Sequence, residues 1–329
     1  MKNINLLISE LLKDTSDNSN IIYDTQNQKF KSKKKVFDKS DSITNFFCNE
    51  IESDQITSKQ ESFYEDVMFP NYDGLETYGD LLDKSSKQGH LAAILDKHIS
   101  HSSTVLEVGC GTGQLSLFLK RYNRLIFGID LSMPSLKLAE SFRLRNDINN
   151  VFFSKMNIFN LQFKNEVFDY VISNGVLHHT YNTEIAFKNI LKPLKKNGYV
   201  VIGLYHKYGR LYTNLRQKII QTFGEGFKFL DSRTIDKNIS EQKRYAWLKD
   251  QYKNPFETSH TLSEVKNWFK KYDIEYISSI PFDIIDNTTN IFEHSKEKIN
   301  FLNLKEISLM FSPSQIKEGG FFVVVGKKI

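Results

Sequence analysis

The chain has 329 residues, a formal net charge of +5 and an apolar share of 40%, which suits one large α/β domain with appendages or two ordinary domains and gives no basic surface strong enough to imply a nucleic-acid coat. No apolar run approaches the roughly 20 residues of a membrane helix, and the opening MKNINLLISELLKDTSD is too interrupted by acids and amides for a secretory signal. Two cysteines, Cys48 and Cys110, cannot build a disulfide framework or a structural zinc site, so a reducing cytoplasm is the expected location.

In chain order, residues 1–60 are polar and irregular, with apolar fragments NLLISELL, NIIYD and KKVFD, and read as a loosely structured appendage. The run KSKKK within it reads as a solvated loop. Residues 61–103 read as a lid and a leading helix: the aromatics are dense, Pro70, Asn71, Asp73 and Gly74 mark turns, and GHLAAILDKHI has helical spacing. From 104 to 329 strands alternate with helices. TVLEVG, RLIFGID, VFFSKMN, FDYVISNG and YVVIGLYH read as strands, joined through QLSLFLKRY, MPSLKLAESFRLRN and NTEIAFKNILKPL. Short connections of this kind imply parallel strands with crossover helices. An aromatic, basic insertion at about 207–260 follows. Then come a helix opened by Thr261 and Glu264, which have capping-box spacing, a strand IEYISSIP and a last strand GGFFVVVGKKI. The expected fold is an α/β doubly wound sheet of about seven strands, the last antiparallel, with helices on both faces.

The glycines at Gly109, Gly111 and Gly113 make G-x-G-x-G, with Gln114 next, so the last glycine of a dinucleotide fingerprint is absent. No Gly-Lys-Ser/Thr follows, which excludes a P-loop, and Glu107 just before the glycines would repel a phosphate. Asp130, ending the second strand, can accept from both hydroxyls of a ribose. A ribose-bearing, cationic ligand without phosphate is implied, and S-adenosyl-L-methionine (SAM) fits.

VLEVGCGTG followed by GID resembles the first two motifs of class I SAM-dependent methyltransferases, which have a Rossmann-like seven-stranded sheet. The resemblance implies that Glu107, Gly109, Gly111, Gly113, Gln114, Asp130 and Leu131 hold the cofactor. It places Asn157, with Ile158 beside it, where the family often has an Asp contacting adenine. FDYVISNGVLHH resembles the fourth-strand motif, with Asn174 beside the methionine moiety. FYEDVMFPNYD, LYHKYGRL, DQYKNP and EGGFFVVVG are further similar to a bacterial subgroup of type 11/12-like methyltransferases. Relatives there often begin with a zinc-ribbon-like module; only Cys48 remains here, so the resemblance implies a degenerate segment without metal.

His178 and His179 stand at the C-terminal end of the fourth strand, where open α/β sheets bind ligands, and one of them suits a general base or a substrate contact. Two adjacent histidines without a third clustered ligand make a poor metal site, so no metal is expected. Tyr205, a catalytic candidate, and His206, Tyr208 and Arg210 leave the fifth strand at the same edge; Arg210 has the fork to clamp a substrate anion. Tyr64, Phe69 and Tyr72 can form an aromatic lid, and Tyr252, Glu257 and His260 are further substrate candidates. Cys110, Trp247 and Trp268 read as packing residues. The expected activity is in-line methyl transfer from SAM to a small-molecule acceptor, leaving S-adenosyl-L-homocysteine (SAH). A lipid or quinone intermediate, RNA, or SAM binding without catalysis are the alternatives. SNGV stands where an amino-methylating Asn-Pro-Pro-Tyr motif would be, and a homodimer is left open.

Overall fold

The computed structural model describes residues 4–47, 55–66, 72, 74–88, 90–224, 226, 229, 231, 241–283, 290–294, 306–308 and 320–329; Cys48, Phe69, Pro70, Asn71, Asp73 and the side chain of Trp247 lie outside that set. The first part of the chain forms α1 (Ile4–Ser9), β1 (Ile22–Asp24), β2 (Lys29–Lys31), β3 (Lys39–Ser40) and β4 (Ile43–Asn45). Three helices follow: α2 (Gln55–Asp66), α3 (Tyr78–Gln88) and α4 (His90–His98). The alternating core is β5 (Thr104–Val108), α5 (Gln114–Phe118), β6 (Leu125–Asp130), α6 (Met133–Arg145), β7 (Val151–Lys155), β8 (Phe168–Asn174), α7 (Thr183–Ile190) and β9 (Leu194–Tyr205). Two helices, α8 (Leu211–Phe223) and α9 (Glu241–Lys253), fill the insertion. The chain closes with α10 (Leu262–Lys271), β10 (Ile274–Ile280) and β11 (Phe321–Lys328).

Local chemistry sets the helix starts. Ser132 accepts from the Ser135 amide at α6, with Pro134 in the first turn where a missing N–H costs nothing. Asn182 does the same for α7 and Thr261 for α10. The capping box expected at α10 is half made: Thr261 caps, but the Glu264 carboxylate pairs with His260 Nδ1 at 3.0 Å.

The strands run β10-β11-β9-β8-β5-β6-β7-β4-β3 in one sheet. Strands β5 to β9 are parallel neighbours, and β11 lies antiparallel between β9 and β10. Successive residues of β5 serve opposite faces, Leu106 and Val108 in one core layer and Val105 in the other, as the two-residue period of a strand requires. Among the described residues no helix is long and apolar enough to cross a membrane.

The sheet is wider than the seven strands read from the sequence. β4 pairs parallel with β7, and β3 pairs antiparallel with β4. The cause is aromatic packing: Phe30 meets Phe152 of β7 edge-on at 6.0 Å, and Phe46 stands between Phe30 at 5.4 Å and Phe37 at 5.0 Å. Ile8, Leu12 and Ile21 are fully buried with them, so residues 4–47 are ordered against the core rather than loose. Phe46 therefore works as a core residue: Phe46→Ala is expected to cost about 3–5 kcal/mol in chemical denaturation. A loss below about 1 kcal/mol would detach this segment from the cooperative core.

Candidate active site

β5 runs to Val108 and the chain then turns sharply. Gly109 and Gly113 both have positive φ, +76° and +73°, and both are packed from beneath. A Cβ on Gly109 would lie 2.3 Å from Val176, and one on Gly113 would lie 2.5 Å from the Phe153 ring, so only glycine fits at either place. The turn is tied to β6: the amides of Gly109 and Cys110 donate to the Ile129 carbonyl at 2.8 and 3.0 Å. Asp130 completes the tie, its two carboxylate oxygens accepting from the Gly111 and Ser132 amides at 2.7 and 2.8 Å.

Burial raises the Asp130 carboxyl above its ordinary value, although the amides of Ser132 and Gly111 pull it down. Glu107, 6% exposed on β5, accepts a hydrogen bond from the Ser116 hydroxyl. Burial pushes its carboxyl up to about 8 against the Ser116 contribution, and the charge of Asp130 adds to the rise. Burial likewise lifts the Cys110 thiol well above its ordinary value, so it stays a protonated packing group.

A cavity of about 620 Å³ opens beside this turn. Glu107, Gly109, Gly111, Gln114, Asp130, Leu131, Ile158 and Asn174 line it. So do Tyr64, His179 and Tyr205, together with Gln60, Thr180, Gln251 and Phe321, which the sequence analysis did not single out. Gln60 and Tyr64 come from α2 and Gln251 from α9, so the cavity joins segments far apart in the chain. A volume of this order, with few polar groups converging on it, suits a small organic ligand.

Other sequence candidates stand around the cavity rather than on its wall. Gly113 lies beneath the turn. Asn157 turns its side chain to the Phe159 amide at 2.9 Å, leaving Ile158 to line the space. Tyr72 braces the glycine turn, its hydroxyl donating to the Thr112 carbonyl at 2.7 Å and its ring 4.8 Å from that of Phe142. Buried His206 bonds Glu306 at 2.9 Å, and Tyr208 packs near that imidazole at 5.7 Å. Tyr252 donates to Asp231 at 2.6 Å. His260 is held between Glu264 and Thr258 at 3.0 Å each. Arg210 makes its two-pronged contact inside the chain, to Glu257 at 2.7 and 2.6 Å, and its guanidinium covers the Tyr205 ring at 3.7 Å.

The adjacent histidines differ. His178 is fully buried, its ring 4.2 Å from both His179 and Tyr205, and neither nitrogen has a hydrogen-bond partner among the described residues. Burial holds it neutral, well below its ordinary pKa, and the Arg210 guanidinium nearby acts the same way. His179 lies with Nδ1 3.1 Å from the Phe256 carbonyl oxygen. That oxygen only accepts, so Nδ1 carries a proton, and in the neutral ring the lone pair is on Nε2.

Both sets of buried groups can be tested by proton linkage. A cationic ligand beside Glu107 favours its charged form, so SAM binding near pH 7 should release up to about one proton, fading as pH rises past 8. Calorimetry in buffers of different ionisation enthalpy measures this, and the same release from Glu107→Gln would remove Glu107 as its source. His178 works oppositely on folding. Its depressed folded pKa means that the unfolded chain binds the extra proton, so its contribution is complete above about 6.5 and is lost as pH falls below it. His178→Phe should therefore flatten the pH dependence of stability between about pH 5 and 6.5, and an unchanged slope would refute this.

Comparison with known proteins agrees with this geometry. The model of a methyltransferase domain family matches residues 99–298. An uncharacterized protein of Methanocaldococcus jannaschii is 30% identical over 139 residues, 41% of this chain and 62% of that protein. Phosphoethanolamine N-methyltransferase 2 of Caenorhabditis elegans is 27% identical over 194 residues, 58% of this chain and 43% of that one. The chain thus spans less than two thirds of the length of these curated relatives. The solved structure of PKMT2 from Rickettsia typhi has a TM-score of 0.53 at 18% identity, over 72% of this chain and 52% of that one. Geranyl diphosphate C-methyltransferase from Streptomyces coelicolor A3(2), solved with Mg2+, geranyl diphosphate and SAH, has 0.50 at 10% identity, over 84% and 100%. These two carry likeness of fold alone. The family match covers more than half of the chain and takes in the glycine turn and Asp130, so this chain belongs to the methyltransferase domain family and has the class I, SAM-dependent architecture.

Proposed function

We propose that the protein transfers the methyl group of SAM to a small-molecule acceptor by in-line displacement. One observation carries this reading: one cavity is lined both by the acids Asp130 and Glu107 with the glycine turn and by the rings of His179, Tyr64 and Tyr205. When bound, SAM supplies a methyl already activated by its sulfonium.

The chain's own residues do the rest. Asp130 is held by two amides, and its remaining lone pairs can accept from a ribose. Glu107, buried and readily deprotonated by a neighbouring cation, favours the positive end of the donor. His179 offers Nε2 to a proton on the acceptor, and α2 and the insertion supply part of the cavity wall through Gln60, Tyr64 and Gln251. Alignment and water exclusion are the main levers, worth on the order of 7–11 kcal/mol in well-oriented reactions. The C. elegans relative, named for phosphoethanolamine, supports an acceptor of small-molecule size.

The reading divides into two mutants, followed with methyl-labelled SAM and by calorimetry with SAH. Asp130→Ala should lose cofactor binding and label transfer together. His179→Ala should lower transfer by about 10²–10⁴-fold while SAH affinity stays within about twofold. Wild-type SAH affinity in Asp130→Ala would break the donor-site assignment.

A further inference from the structure

Helix α2 supplies Gln60 and Tyr64 to the cavity wall, and it lies there without a buried apolar anchor. Of its described side chains only Thr57 and Gln60 are buried, at 6% and 5% exposed, and both are polar. Ile56, Phe63 and Tyr64 are half-buried. A helix placed in this way draws less on the hydrophobic effect than the core elements do, and depends on what its polar groups meet.

Those polar groups are tied on two sides. Beside the glycine turn, the Ser132 hydroxyl donates to the Tyr64 carbonyl at 2.9 Å, and the Lys155 ammonium meets the Glu61 carboxylate at 2.5 Å. Beside the insertion, Gln60 Nε2 donates to the Phe256 carbonyl at 2.9 Å and to Asn254 Oδ1 at 2.8 Å, and Asn254 Nδ2 donates to the Tyr64 hydroxyl at 3.2 Å. Each contact replaces a bond to water, so each adds only modestly to docking.

The two ties beside the glycine turn end on residues that also serve Asp130. The Ser132 amide donates to Asp130 Oδ1 at 2.8 Å. Lys155 stands opposite Asp130 in the β6–β7 register. Burial works against the charged form of Asp130, and the charge of Lys155 works for it. Ser132 and Lys155 therefore both connect the acid of the donor site to α2. A ligand that fills the cavity touches Gln60 and Tyr64 only while the helix is docked. It thus binds the docked and undocked states unequally, which is the condition for shifting that equilibrium.

We propose that α2 is a strap whose docking is coupled to occupancy of the donor site through Ser132 and Lys155, so that cofactor binding secures the part of the wall that Gln60 and Tyr64 contribute. This rests on the SAM-dependent reading above and adds a regulation of that same site. The helix opens apart from the sheet, and an occupied donor site holds it closed. An acceptor then meets a full wall only when a methyl group is there to be transferred.

Amide hydrogen exchange of the full chain, read by mass spectrometry with and without saturating SAH, tests this. In the free protein the α2 amides should exchange faster than those of β5 to β9, through local opening. SAH should slow the α2 amides about fivefold or more. A helix that opened independently of the donor site would keep its rate with SAH bound, even as the core strands slow. That result would overturn the coupling and leave SAM binding standing. So would α2 exchange as slow as that of the strands in the free protein, because the helix would then have no opening of its own. Glu61→Gln cuts the tie to Lys155 and leaves the residues lining the cavity untouched. It should speed α2 exchange about two- to fivefold in the free protein, and an unchanged rate would overturn the coupling through Lys155. No binding of SAH to the wild-type protein would overturn the donor-site reading itself and the coupling with it.

Discussion

The site depends on one contact, the Asp130 carboxylate against the glycine turn. A carboxylate at the end of β6 can accept from Gly111 only if the chain leaving β5 doubles back at once, and that path needs positive φ at Gly109 and Gly113. The same path leaves no room for a side chain at either place, because Val176 and the Phe153 ring already occupy it. The turn, β6, β7 and the loop after β8 are thus fixed against one another by a single geometric requirement. Its electrostatic consequence is two buried acids on the cavity wall, both raised by burial, with the charge of Asp130 adding to the cost of charging Glu107. A ligand that brings positive charge relieves that cost, which favours a cation.

The cavity wall around His179 and Tyr205 is built by a different means. Here no local turn decides the geometry. α2, the segment after α9 and the end of β9 meet around the Phe256 carbonyl and the Arg210–Glu257 pair. Arg210 is 1% exposed, and such a buried pair is held at a desolvation cost that good geometry and further hydrogen bonds must offset. It meets both conditions, with two parallel contacts to Glu257, a third to Gln251 and the face of Tyr205 beneath. Gln251 in turn donates to the Tyr205 hydroxyl at 2.8 Å, so the guanidinium sets the position of a cavity residue without lining the cavity itself.

What the sequence reveals follows this division. The parallel strands announce themselves as apolar runs because both of their faces are buried, and the donor end is legible because its residues are close in sequence. β3 and β4 stay hidden: they have two and three residues, too few to show alternation, and the segment is held by a cluster of Phe30, Phe37 and Phe46 in which Phe30 meets Phe152 across the fold. Arg210 shows the limit of reading side-chain type alone, since a fork that suits a substrate carboxylate suits Glu257 equally well. His178 and His179 are equivalent in the sequence, yet a short 3-10 turn buries one and presents the other. Gln60 carries no local signal at all; its role appears only once Asn254 and Phe256 are brought beside it.

The boundary of the family match falls on the same line. Residues 99–298 contain the glycine turn, Glu107, Asp130 and His179, but not α2, which supplies Gln60 and Tyr64. On the proposed reading, the residues that hold the donor lie in the shared part of the chain, while Gln60 and Tyr64 of the cavity wall lie outside it. α2 nonetheless meets the donor side directly, since the Ser132 hydroxyl donates to the Tyr64 carbonyl at 2.9 Å and the Ser132 amide donates to Asp130. Part of the cavity wall is thus contributed from outside the shared segment, and family membership says little about the group that receives the methyl.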